Sequence, residues 1–552
     1  MSARFLIALG VCAVGLRAGV RGDEWPQFRG PASSGLTGEK QLPLEWGADK
    51  NMQWKAKIAG RGWSSPVVWG DKVFVTAAGS DQEAKSQPGA GGRGGRGGPG
   101  GGGPGGPGGF GGPAQPGQIL APPLQERLKL TDEQKKQLQE LQKEVDGKLA
   151  KILTDEQQKQ LKEMPQGFGP GGRGGFGGPG GFGGGSPPDA VYRFEVICLD
   201  RATGKVLWKQ LALEGKPRIA KQVANTYASE TPVTDGERVY AYFGMHGLFC
   251  YDLAGKLVWK KDLGAYPMIM GQGTASSPVL DSERLFLQID NEEKSFLVAL
   301  DRKTGEELWR ASRDERSNHC SPVVWKNKAR TELVTSGSRK ARSYDPATGK
   351  LLWELSLGGG LCQASPVGDD ERLYVGVAAG FGGGFGGPGG GGPGGPGGGR
   401  GGMGGGSGAL YAVKAGASGD ITPKQGETAS EGVTWSQPRA APSAASPLVY
   451  QGYVYVLEQN GGQVSCYDAQ TGKPAYQRQR LQGARAFWAS PWAYDGKVFC
   501  LDDGGTTFVL QAGPEFKLLG KNSIDDQFWA TPAVAGGALI LRGVENVYCI
   551  KQ

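Results

Sequence analysis

Few side chains in this chain of 552 residues combine reactive chemistry with a usable spacing. It has two histidines, His246 and His319, which argues against a His-rich metal site or a pair of imidazoles working as acid and base. The reactive and aromatic groups that stand out share one sequence context. Trp63, Tyr227, Glu230, Asn318, His319, Gln363, Trp488 and Trp529 each lie within five residues ahead of a Ser-Pro or Thr-Pro dipeptide. Three positions before the prolines the chain reads Trp63, Ser229, Ala275, His319, Gln363, Ala444, Trp488, Trp529. Two positions before, it reads Ser64, Glu230, Ser276, Cys320, Ala364, Ala445, Ala489, Ala530. Glu230 is thus the one charged residue in a row of small ones, the setting for a perturbed pKa or a cation contact. The three tryptophans offer flat apolar faces for packing or for ligand stacking.

The elements that position these residues repeat. The dipeptide occurs at Ser65, Thr231, Ser277, Ser321, Ser365, Ser446, Ser490 and Thr531, at intervals of 41 to 46 residues apart from two, of 166 and 81, that contain glycine-rich tracts. Within one copy, Thr231–Trp259, short apolar runs alternate with the turn signals Asp235-Gly236, Gly244–Gly247 and Ala254-Gly255. A four-strand unit of about 44 residues is the period of a propeller blade. Proline as a strand's first residue removes no ladder hydrogen bond. The residues before each dipeptide then lead into the innermost strand and line a central channel.

Each copy ends in Asp-x-x-Thr-Gly-x-x-x-Trp or a variant, which places Trp208, Trp259, Trp309, Trp353 and Trp435 as blade-closing residues, with Tyr476 substituting once. The eighth copy runs out after Asn546–Gln552, and Trp54 stands ahead of Ser65 at the blade-closing offset. The expected fold is therefore all-β: an eight-bladed propeller of four-stranded antiparallel blades over residues 23–552, its ring closed by the N-terminal strand. Cys198, Cys250, Cys466, Cys500 and Cys549 recur at one strand position and read as small buried hydrophobes. Cys320 and Cys362 pair only if the fold brings their Cα atoms within about 7 Å.

The repeated Asp-x-x-Thr-Gly-x-x-x-Trp resembles the PQQ-like (quinoprotein alcohol dehydrogenase-like) β-propeller repeat family, over roughly residues 23–80, 190–380 and 409–552. Trp25–Pro31, TrpProGlnPheArgGlyPro, is similar to the N-terminal signature of exported members without an assigned activity. The resemblance implies either a PQQ-dependent dehydrogenase, with quinone and Ca²⁺, or a non-enzymatic, BamB-like exported protein. Dehydrogenases of this family carry a vicinal Cys-Cys, or CxxCH for haem; neither occurs here. No flanking motif supports a Ca²⁺ role for Glu230 and Asn318, so those sites are not carried over. The expectation is a protein without cofactor or metal.

Arg4, the apolar run Phe5–Leu16 and the small residues that follow have the layout of a signal peptide at 1–22, implying an exported protein, periplasmic or extracellular, without a transmembrane segment. An insertion at 84–190 holds glycine-rich tracts around a helical segment, 124–164, and a second glycine-rich insertion spans 380–408. LeuThrAspGluGln occurs twice, at Leu130 and Leu153, and Thr followed three residues later by Gln is a capping box. Leu138, Leu141, Val145, Leu149 and Ile152 make a stripe at helical spacing. This segment resembles the LTxxQ motif of Spy/CpxP-type helical proteins. A formal charge of +8 is a weak case for nucleic acid in a chain this long, and none is expected as partner. The expected role is a non-catalytic interaction scaffold or ligand-binding protein of the cell envelope, monomeric, meeting an envelope or secreted partner through the channel mouth and helical insert. The other readings are a quinoprotein dehydrogenase and a secreted carbohydrate-binding module.

Overall fold

The computed structural model describes residues 24–39, 42–81, 130–154, 186–378 and 408–552. The expected signal peptide, most of the 84–190 insertion and nearly all of the 380–408 tract lie outside these residues. The described chain forms eight antiparallel four-stranded sheets, one of which gains a short parallel fifth strand. Blade 2, for example, is built from Val233–Thr234, Arg238–Tyr242, Leu248–Asp252 and Leu257–Lys261. The last sheet takes its fourth strand from Met52–Lys57, antiparallel to Asn546–Lys551 with Trp54 opposite Cys549. The second strands of blades 1 and 5, ending at Gly79 and Gly376, precede the two insertions.

The Ser/Thr-Pro dipeptides explain how the sheets are arranged around one axis. Proline has no N–H, so the residue before it supplies the last donor of the turn. Each of these N–H groups donates to the hydroxyl of the next blade: Ser65 to Thr231, Thr231 to Ser277, Ser277 to Ser321, Ser321 to Ser365. The series continues from Ser365 to Ser446, Ser446 to Ser490 and Ser490 to Thr531. Thr531 N then donates to Ser65 Oγ at 3.1 Å, and the circle returns to its start. All eight residues are buried, so each bond satisfies an N–H that water cannot reach.

Blades adhere at their outer strands through the repeated tryptophan. The indole N–H of Trp208 donates to Leu253 O at 2.9 Å, and that of Trp309 to Pro346 O at 3.0 Å, each in the following blade's turn. Trp54, Trp259 and Trp435 repeat the bond to Arg201, Arg302 and Ala469. The turn glycine lies against the ring: a Cβ on Gly305, at φ +75°, would stand 2.7 Å from Trp259. Trp353 departs from this pattern. It is fully buried, and its N–H goes to Glu332 Oε2 at 2.7 Å within its own sheet. The reason is the enlarged turn of the fifth blade, whose Gly419–Asp420 runs parallel to the Trp353 strand as the extra fifth strand. Trp325 bonds across to Asp369 O instead.

The TrpProGlnPheArgGlyPro segment crosses beneath the ring. Trp25 pairs with Val68 through both backbone bonds, and Pro26 O accepts from Thr234 N. Gln27, Phe28 and Ser33 face Pro278, Pro322 and Ser365 across a void of ≈ 10 Å³. Arg29 Nη2 then reaches Pro447 O, Gly35 O accepts from Ala493 N, and Pro43 O from the Tyr494 hydroxyl. These contacts lie with or after the dipeptides in sequence, so the segment covers one end of the channel. The residues that precede the dipeptides form the other end.

The helical insert is a separate unit, described by itself. Its helix spans Asp132–Ile152. Thr131 and Gln134 exchange the two capping-box bonds, at 2.9 and 3.3 Å. Along the apolar stripe Leu138 and Val145 are half-buried, while Leu141 and Ile152 are exposed. No helix among the described residues is long and apolar enough to cross a membrane.

Candidate functional site

At the mouth opposite that segment, Trp63, Trp529 and Trp488 form one stack. Centroids are 5.0 Å apart for Trp63–Trp529 and 4.1 Å for Trp488–Trp529, with the rings within 15° and 14° of parallel. They come from blades 1, 8 and 7 because the same position of three neighbouring inner strands carries an indole. Trp63 is buried, with its N–H on Ala224 O at 2.9 Å. Trp488 and Trp529 are half-exposed. The next blade offers Ala444 at the equivalent position, so no side chain of that row covers the outer face of Trp488.

Across the mouth lies a polar region. Glu230 is buried, and burial lifts its pKa from 4.5 to about 7, with the Thr274 hydroxyl opposing the rise. No arginine faces it among the described residues, and the Thr274 hydroxyl is the side-chain donor beside it. Asn318 is buried with its Nδ2 on Asp290 Oδ2 at 2.5 Å. His319 is half-buried; its Nε2 meets Gly273 O at 3.0 Å, and burial lowers its pKa. Gln363 is half-buried on the adjoining blade. Tyr227 is not at the mouth surface: it packs edge-on against Tyr192 in the core, and its hydroxyl donates to Ile219 O. His246 lies edge-on to Phe194, and burial takes its pKa down to about 4.

Three residues that sequence reading passed over hold this region together. Asp290 and Arg313, both fully buried, form a bidentate pair at 2.8 and 2.9 Å. Burial disfavours the Arg313 charge, but Asp290 outweighs it and the pKa is raised. Gln288 Nε2 donates to Asp290 Oδ2 at 2.8 Å and to Ser336 O at 2.7 Å. The available signal was Gln288-Ile289-Asp290-Asn291, polar residues interrupting an apolar strand. Cys320 and Cys362 are buried free thiols; Cys320 Sγ donates to Ser336 O at 2.8 Å.

The cavity between blades 2 and 3 has a volume of ≈ 20 Å³, room for a water-sized group. Asp290, which lines the cavity, accepts from Arg313, Asn318 and Gln288, while Glu230 approaches the cavity wall at Gly244. Among the described residues no three His, Cys, Asp or Glu side chains gather to hold a metal.

The sequence matches the family model described as outer membrane protein assembly factor BamB over residues 193–360, 293–382 and 389–513. No curated protein matches the chain in sequence. Among solved structures, BamB from Moraxella catarrhalis is similar at 11% identity and TM-score 0.44, covering 64% of this chain and 91% of its own. The computationally designed Ika8 protein gives 10% identity and TM-score 0.43, over 66% and 93%. Quinohemoprotein alcohol dehydrogenase from Comamonas testosteroni gives 11% and 0.41, over 66% and 73%.

Proposed function

Since this chain belongs to the PQQ-like β-propeller family of outer membrane protein assembly factor BamB, we propose that it is an exported, non-catalytic scaffold or ligand-binding protein of the cell envelope, working through the channel mouth that carries the tryptophan stack. The observation that carries this reading is the Trp63–Trp529–Trp488 stack. Half-exposed stacked indoles are preorganised contact area, rigid before anything binds. Among the described residues, the N-terminal segment lies over the far end of the channel. In this reading the protein works without a cofactor.

The test is a pull-down of envelope proteins on the wild type, on Trp488→Ala and on a chain lacking residues 84–190. The reading expects a saturable partner that Trp488→Ala weakens at least tenfold. Reconstitution with PQQ and Ca²⁺ that yields a quinone absorbance and alcohol- or sugar-dependent dye reduction overturns it in favour of a dehydrogenase. The exposed indole faces also support a carbohydrate-binding reading, because sugar rings stack on such faces. Soluble oligosaccharides that quench tryptophan fluorescence in the wild type but not in Trp488→Ala would select it.

A further inference from the structure

Two cysteines behind the mouth differ from the other five among the described residues. Cys198, Cys250 and Cys549 lie in three separate apolar clusters, one cysteine to each. Cys466 and Cys500 share a cluster, yet neither thiol acts on the other. Cys320 and Cys362 share a cluster and meet. They come from different blades: Cys320 precedes the inner strand of blade 4, Val323–Lys326, and Cys362 precedes that of blade 5, Val367–Gly368.

The fold sets their backbones side by side. His319 N donates to Cys362 O at 2.8 Å, and Cys320 is the next residue. Both side chains then turn toward Ser336: Cys320 Sγ lies 2.8 Å from its carbonyl oxygen, and Cys362 Sγ 3.3 Å from its hydroxyl. The Cys362 thiol is in turn a hydrogen-bonding neighbour of the Cys320 thiol. A disulfide needs adjacent backbones and side chains that converge, and this pair has both. Closing it strands no acceptor, because Gln288 Nε2 still donates to Ser336 O and to Asn318 Oδ1.

We infer that Cys320 and Cys362 are a disulfide site, oxidised on export, that joins blades 4 and 5 behind His319 and Gln363. The bond closes a loop that contains the whole of blade 4, residues 323–356. Such a crosslink removes conformational freedom from the unfolded chain. It also ties together the two segments that carry His319 and Gln363 to the mouth.

The oxidant is a disulfide donor, the class of reagent that exported chains meet. One cysteine thiolate attacks a donor sulfur, forming a mixed disulfide and releasing one donor thiolate. The second cysteine thiolate attacks the protein sulfur of that mixed disulfide and releases the other donor thiolate. The two cysteine protons end on the two donor sulfurs; the protein loses two electrons and the donor gains them. Burial, and then the Cys362 thiol beside it, hold the Cys320 pKa well above its ordinary value, so the attack belongs to the stage before the ring closes over the pair.

The inference rests on the exported part of the proposed function, but the experiment supplies the oxidant itself. The full chain is unfolded in urea with dithiothreitol, desalted, and refolded at about pH 8 in mixed oxidised and reduced glutathione, or in reduced glutathione alone. Both samples are quenched in acid, alkylated in denaturant and digested with trypsin. The expected result is that all eight cysteines alkylate in the reduced sample and all but Cys320 and Cys362 in the oxidised one, with peptide 317–326 linked to 351–372. The oxidised chain should also unfold at a higher urea concentration than the reduced one, a difference absent from both Cys320→Ala and Cys362→Ala. Full alkylation after oxidative refolding, glutathione adducts in place of the link, a link between other cysteines, or a link that lowers the urea midpoint overturns the inference. Cell fractionation reads export separately: a chain kept in the cytoplasm that still forms the link in glutathione counts against the export reading and not against the pair.

Discussion

Replacing Glu230 with glutamine should make the protein more stable, and only at neutral and higher pH. The carboxyl is buried without a counter-charge, and burial raises its pKa from 4.5 to about 7. Unfolded, it loses its proton near its ordinary value; folded, it keeps the proton until about 7. Between those values the folded state binds more protons than the unfolded one, so stability falls as pH rises through this window. The stability that Glu230 contributes is complete below 4.5 and lost above about 7. A displacement of that size, at about 1.4 kcal/mol per tenfold, corresponds to about 3 kcal/mol. Urea unfolding of wild type and Glu230→Gln, from about pH 4.5 to pH 8, measures it. The two should agree at the acid end and diverge to about 3 kcal/mol in favour of the variant at the alkaline end. Glu458 and Asp502, also raised by burial, and His246, lowered by it, titrate in both proteins and cancel in the difference. Parallel curves would refute the argument, because they would mean that Glu230 is solvated or paired in the folded state.

Two further substitutions probe the ring itself. Ser277→Ala removes the hydroxyl that accepts from Thr231 N at 2.9 Å, leaving a buried N–H unmet; about 1–3 kcal/mol should be lost, with Ser277→Thr close to wild type in the same urea assay. Gly305→Ala places a Cβ 2.7 Å from the Trp259 ring at φ +75°; thermal unfolding should fall by several degrees, whereas alanine at exposed Gly452, φ +80° with open space around it, should cost less because only the backbone term applies.

Repeat spacing made the architecture legible. A period near 44 residues, a proline where a strand begins and a Gly–Trp turn at its end are local statements, and each copy repeats them. The same regularity located the mouth, because residues at one offset from each dipeptide must meet around one axis. Sequence offset put Trp63, Trp488 and Trp529 together, and the structure stacks them. Offset failed for Tyr227, whose position ahead of Pro232 says nothing about the side-chain direction; it turns into the core beside Tyr192. Trp353 keeps the blade-closing position but loses the blade-closing bond, because the enlarged turn that displaces it lies sixty-odd residues further along the chain.

The sequence by itself determined the number of blades and the aromatic side of the mouth, because these follow from periodicity alone. Tertiary structure decided the rest. It decided that Trp25–Pro31 covers one end of the channel, through bonds to the backbones of blades far apart in sequence. It also decided that Glu230 has no counter-charge, while Asp290 and Arg313 find each other 23 residues apart. The charge state of a carboxyl and the partner of an amide depend on what lies across a blade boundary. No local pattern in a chain records that.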